Sequence, residues 1–249
     1  MNESAVMAGW VETTFEHEGL TRAVHRRGEG PGVIVVHEIP GITPAVARFA
    51  NEVVERGFSV MMPELVGTAG RELSTGYLAA SSLRMCVARE FVTFATGRTS
   101  PIIGWLRALA RDLHREVGGP GIGAVGMCFS GGFALGMMLD DVMIAPVLSQ
   151  PSLPLALGRK RGRDLNLSPE DLKVVVDRAR SGCEVLGLRF DQDGLTGTRF
   201  ETLAELLGDA FIEVELPSSR SRDHSVLTEQ RDEPSVARVL DFLADRLQG

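Results

Sequence analysis

The sequence predicts an α/β protein whose mostly parallel central sheet is flanked by helices on both faces, and three observations carry that expectation. Short apolar runs rich in β-branched residues recur, as in Val33-Ile34-Val35-Val36, the mark of strands buried on both faces of a parallel sheet. Amphipathic stretches of helical length separate these runs, as right-handed βαβ crossovers require. No repeat, low-complexity tract or long linker interrupts the 249 residues, so one core serving residues 1–249 is expected.

Taken in order, 11–15 and 20–24 read as two short strands joined at Gly19. The alternation begins at Gly32: strand 33–36, helix 44–56, strand 58–62, helix 102–117, strand 121–126 and strand 142–147. It continues with helix 169–180 behind a Ser168 cap, strand 184–188, strand 211–216 and a closing helix over 236–247. Residues 67–100 and 149–167 do not fit the alternation and are expected as irregular segments that cover the site.

Hydrophobic residues at 44% and charged residues at 24% place the chain among ordinary globular proteins. A net charge of −7 offers no general attraction to phosphate backbones or anionic lipid, so neither nucleic acid nor membrane is an expected partner. The basic run at Arg159, Lys160, Arg161 and Arg163 reads as a solvated loop. Three scattered cysteines, Cys86, Cys128 and Cys183, form neither a disulfide framework nor a zinc pattern. Residues 1–10 lack a basic segment followed by an apolar run, and no stretch approaches the ~20 apolar residues of a membrane span, so a cytoplasmic location is expected. The oligomeric state is left open.

Chemistry concentrates in Gly126-Met127-Cys128-Phe129-Ser130-Gly131-Gly132, where a buried strand meets a helix through a turn of small residues. This is the shape of a nucleophile elbow, in which a strained turn lifts the reactive atom above the sheet at a helix N-terminus. The helix dipole there favours a thiolate, and backbone N–H groups await an oxyanion. Ser130 is less suited than Cys128 as nucleophile, because glycine is missing two positions before it. The plain alternative for Cys128 is a small buried hydrophobe in a tight turn. Nucleophile, acid and histidine follow one another in α/β-hydrolases, and here Asp191, Asp193 and then His224 follow Cys128.

These residues make the chain resemble the dienelactone hydrolase family, cysteine members of the α/β-hydrolase fold, over 32–247. The likeness rests on Val36-His37-Glu38-Ile39-Pro40-Gly41, the elbow, Phe190-Asp191-Gln192-Asp193 and Asp223-His224-Ser225. It implies Cys128 as nucleophile, His224 as base, Asp193 as the residue orienting His224, Glu38 as a carboxylate near the thiol, and the Ile39 and Phe129 amides as the oxyanion hole. It also implies cyclic or unsaturated carboxylate-bearing esters as the substrate class, with no metal or organic cofactor. A carboxylate beside a thiol opposes its ionisation, so Glu38 points to a thiol activated when substrate enters.

The expected function is hydrolysis of a small ester or lactone through a Cys-His-Asp triad and a thioester intermediate. Acyl transfer or thioester cleavage on the same residues, and an idle hydrolase-fold binding protein, are the alternatives. His37 competes with His224 as base, and Asp191 is read as a turn cap. Among Arg84, Arg89 and Arg98, Arg89 is the leading clamp for a substrate carboxylate.

Overall fold

A computed structural model describes residues 6–87, 89–91, 96–152, 159–220 and 222–249, with the side chains of 86, 87, 89 and 159 outside that description. Eight strands form one sheet in the order β1-β2-β4-β3-β5-β6-β7-β8. They are β1 (Val11–His17), β2 (Leu20–Arg27), β3 (Gly32–Val36), β4 (Ser59–Pro63), β5 (Ile122–Met127), β6 (Met143–Ser149), β7 (Val185–Phe190) and β8 (Phe211–Leu216). The β1–β2 hairpin and the β2–β4 pair are antiparallel, and every later pairing is parallel.

Side chains of a strand alternate between the two faces of the sheet, and each face has its own apolar cluster. Val33, Val35, Val60 and Met62 pack with α1 (Pro44–Glu55) and the C-terminal helix, α8 (Glu233–Leu247). Ile34, Val36, Met61 and Ala124 face the other way, against α3 (Pro101–Val117), α4 (Gly131–Met137), α6 (Pro169–Arg180) and α7 (Arg199–Leu207). Helices thus cover both faces, as expected from strands that are apolar throughout. Ser168 caps α6 by accepting from the Asp171 amide at 3.1 Å.

The structure departs from the expectation in several places. Residues 67–100, expected as irregular, contain α2 (Thr75–Val87), whose Gly76, Ser81 and Ser82 blur the apolar periodicity that announces a helix. Segment 149–167 contains the short α5 (Arg159–Gly162). Strand β7 also runs two residues beyond the expected 188, to Phe190, because Leu216 O still accepts from the Asp191 amide at 2.8 Å.

Candidate active site

The C-terminal ends of β3, β5, β6 and β7 gather the side chains that carry chemistry, as open parallel sheets do. Strand β5 ends at Met127, and Cys128 opens a single 3-10 turn leading into α4. Cys128 has φ +56°, in the left-handed region, which costs a residue with a Cβ about 1–2 kcal/mol. Close approach dictates the glycines on either side. A Cβ on Gly126 would lie 2.3 Å from Ser130 O, and one on Gly131 2.7 Å from Pro151 Cβ. Ser130 is fully buried; its Oγ accepts from the Met127 amide at 2.8 Å and donates to Val36 O at 2.9 Å. Its hydroxyl therefore ties the elbow to the strand that delivers Glu38 and Ile39, and is no nucleophile.

Asp193 stands three residues past β7, and His224 lies on the loop between β8 and α8. His224 Nδ1 lies 2.7 Å from Asp193 Oδ2. Thr196 Oγ1 donates to the same oxygen at 2.7 Å, and the Leu195 amide donates to Oδ1 at 3.0 Å. Burial opposes ionisation of Asp193, but these donors outweigh it and hold the carboxyl below its ordinary range. His224 Nε2 is buried and, among the described residues, interacts with Cys128. Burial alone would disfavour imidazolium; the charge of Cys128 as thiolate, together with Asp193, reverses that and raises His224 to about 11. Asp191, by contrast, is exposed and caps a turn by accepting from the Ser218 amide at 2.8 Å.

Glu38 is buried at the end of β3 and shares a cavity with Cys128, but its carboxylate is occupied by other groups. Ser225 Oγ donates to it at 2.8 Å and Gln150 Nε2 at 3.2 Å, and Thr228 Oγ1 donates to the second oxygen. Gln150 Oε1 in turn accepts from the Val226 amide at 3.3 Å. Glu38, expected near the thiol, lines the same cavity as Cys128, and its hydrogen bonds tie it to the loop that carries His224. Ser152 Oγ lies 3.0 Å from Cys128 Sγ, and the Ser152 amide donates to Cys128 O, also at 3.0 Å.

These groups open on a cavity of about 580 Å³, within the ~300–1,000 Å³ typical of small-molecule sites. A model of the dienelactone hydrolase family matches residues 20–149, more than half of the chain. The chain belongs to the dienelactone hydrolase family. It is therefore a hydrolase of the dienelactone hydrolase and esterase type, and the family implies a small-molecule substrate. No curated protein sequence matches significantly. Solved structures resemble it throughout. A protein assigned as a dienelactone hydrolase from Klebsiella pneumoniae is 19% identical, with a TM-score of 0.68 over 95% of this chain and 97% of that one. The dienelactone hydrolase of Anabaena variabilis is 12% identical, with a TM-score of 0.64 over 96% and 98%. A cold-adapted esterase from an Arctic intertidal metagenomic library is 16% identical, with a TM-score of 0.62 over 95% and 93%. At these identities the likeness is one of fold.

His37 is fully buried and burial lowers it to about 4, so it is neutral at pH 7; its Nε2 accepts from the Leu65 amide at 3.0 Å. It braces the loop after β4. Arg84 and Arg98 are exposed, and the Arg89 side chain lies outside the described residues. Among the described residues, no group of three or more His, Cys, Asp or Glu is placed to hold a metal ion, and no helix is long and apolar enough to cross a membrane.

Two residues of the site had no sequence expectation. Ser152 could have been found from register, since Met127 pairs with Ser149 and the chain just past β6 must run beside the elbow. Arg199 is buried, with its guanidinium donating to four backbone carbonyls, those of Arg161, Asp164, Leu195 and Thr196. Burial lowers it to about 10, against the opposing charges of Asp164, Asp193 and Cys128. It joins the Asp193 loop to α5, and its charge acts on Asp164, Asp193 and Cys128.

Proposed function

We propose that the chain hydrolyses a small carboxylic ester or lactone, with Cys128 as nucleophile, His224 as acid–base and Asp193 as the group that orients His224. The observation that carries this reading is the chain of contacts itself. A cysteine in the left-handed conformation stands at a strand-to-helix turn, interacts with a buried histidine, and that histidine's Nδ1 lies 2.7 Å from a buried carboxylate.

In this reading the Cys128 thiolate attacks the carbonyl carbon, and the carbonyl electron pair moves to oxygen, where the Ile39 and Phe129 amides donate to it. Collapse of the tetrahedral adduct expels the alcohol, which takes its proton from His224 imidazolium, leaving a thioester on Cys128. His224 then removes a proton from water as it attacks the thioester. The second adduct releases the acid and regenerates thiolate and imidazolium. Asp193 stays ionised throughout and stabilises the imidazolium. Glu38 serves as a positioning residue for the His224 loop.

The test is steady-state turnover of a panel of esters and lactones by wild type and Cys128→Ala. Loss of turnover by at least about a thousandfold with unchanged unfolding supports the assignment, and retained activity overturns it.

A further inference from the structure

We propose that this site selects an uncharged, apolar acyl ester, bound along a leucine-lined wall that excludes a carboxylate. This rests on the hydrolase reading above and concerns what that site accepts.

On α2, Leu78, Ser82 and Met85 are spaced to share one helical face, and all three line the cavity that holds Cys128 and His224. Leu73, just before that helix, and Leu195, on the Asp193 loop, line it as well. Leu73, Leu78 and Leu195 are 42%, 41% and 48% exposed, which makes them half of the exposed large hydrophobics among the described residues. An exposed leucine alone says little, but three converging on the mouth of one cavity form an apolar patch of the kind that marks a binding groove. Deeper in, Ile39 and Phe129 continue the same surface to the thiol.

Charge points the same way. Among the described lining residues none is Lys or Arg; the positive charge of His224 is already met by Asp193 and Cys128, and Glu38 and Glu229 are both acidic. Burial and the charge of Glu38 raise Glu229, so a further carboxylate in this space is already disfavoured. Arg48 offsets Glu229 in part; its guanidinium donates to Thr228 O at 3.5 Å and it is not a lining residue. A substrate carboxylate entering here would leave water for an apolar wall and meet like charge without a described guanidinium to pair with. An alkyl or aryl acyl group would instead cover three leucines.

The experiment compares matched ligands that differ only in a terminal carboxylate. Binding of 2-decanone and 9-oxodecanoate is measured by calorimetry, and kcat/KM for p-nitrophenyl octanoate and the p-nitrophenyl half-ester of octanedioate is measured alongside. We expect the uncharged member to be favoured at least about tenfold in both assays, and ketone affinity to rise about two- to fourfold per methylene from 2-pentanone until the wall is covered. Leu78→Lys should reduce the discrimination, because it sets a cation at an already exposed position. Equal or better performance of the carboxylate ligands overturns the inference and leaves the hydrolase reading intact. If that preference disappears in Arg89→Ala, Arg89 is the clamp instead. Absence of any ester turnover, with the ketone preference retained, overturns the hydrolase reading while supporting the apolar site.

Discussion

Replacing Glu38 by Gln separates a carboxylate that restrains the thiol from one that fastens the catalytic loop. Glu38 is 4% exposed and accepts from Ser225, Thr228 and Gln150. A glutamine keeps one acceptor oxygen and presents an NH2 where the second oxygen stood. The hydroxyls of Ser225 and Thr228 can turn to suit. The Gln150 amide cannot, because its oxygen already accepts from the Val226 amide, so the new carbonyl oxygen takes the position shared by Gln150 and Ser225 and the Thr228 hydroxyl turns to accept from the NH2. Every partner is kept, but the bonds fall from charge-assisted to neutral, about 1 kcal/mol. Glu38→Gln should therefore lower unfolding stability by about 1–2 kcal/mol in urea titration. His224 rides on the loosened loop, so iodoacetamide should modify Cys128 more slowly at neutral pH and kcat should drop. A carboxylate acting directly on the thiol predicts the reverse, faster alkylation on neutralisation. Wild-type stability together with equal or faster alkylation would refute the tether.

Ser152→Ala removes the hydroxyl 3.0 Å from Cys128 Sγ, and loss of one hydrogen bond to a charged sulfur, about 1.5 kcal/mol, should slow alkylation about tenfold with unfolding unchanged; equal rates would reduce Ser152 to packing. Asp193→Asn should lower kcat strongly at nearly constant KM, whereas Asp191→Asn, on an exposed cap, should leave both near wild type; steady-state kinetics on one ester decides between them. Arg199→Ala leaves four carbonyls without their donor and should destabilise by about 3–5 kcal/mol in urea unfolding, with Arg199→Lys recovering only part; a loss under about 1 kcal/mol would contradict the bridging role. For pH, His224 is raised to about 11, so its contribution is complete below the ordinary imidazole value near 6.5 and is lost as pH rises through about 11. Asp193 is lowered, so its contribution is present above the ordinary carboxyl value near 3.8 and is lost on acidification below it. Melting temperature against pH should fall at both ends, and Cys128→Ala should move the alkaline fall to lower pH by removing the sulfur's charge; coincident alkaline limbs would contradict the Cys128–His224 coupling.

The sheet was readable because strands such as Val33–Val36 are apolar on both faces and helices such as α3 repeat at helical spacing, so local pattern and burial agree. The order of Cys128, Asp193 and His224 was readable because each follows a strand of that sheet. Helix α2 was not, since its serines and glycine hide the period that its cavity-facing Leu78 and Met85 would otherwise announce. Glu38's partners lie far along the chain, at Gln150, Ser225 and Thr228, and no spacing rule foretells contacts made only when loops from three strand ends meet. Arg199 escaped notice for a related reason. A single arginine on an amphipathic helix reads as surface, and only the fold turns it inward onto backbone carbonyls.

The central claim is that Cys128 carries the acyl group. Intact-mass and peptide analysis of protein quenched with acid during turnover of a slow ester tests it most directly. The account predicts a mass gain equal to the acyl group, confined to the peptide containing Cys128, removed by hydroxylamine, absent in Cys128→Ala and accumulating in His224→Gln if deacylation becomes limiting. Continued turnover by Cys128→Ala, or an acyl group on another residue formed at the rate of catalysis, would contradict it.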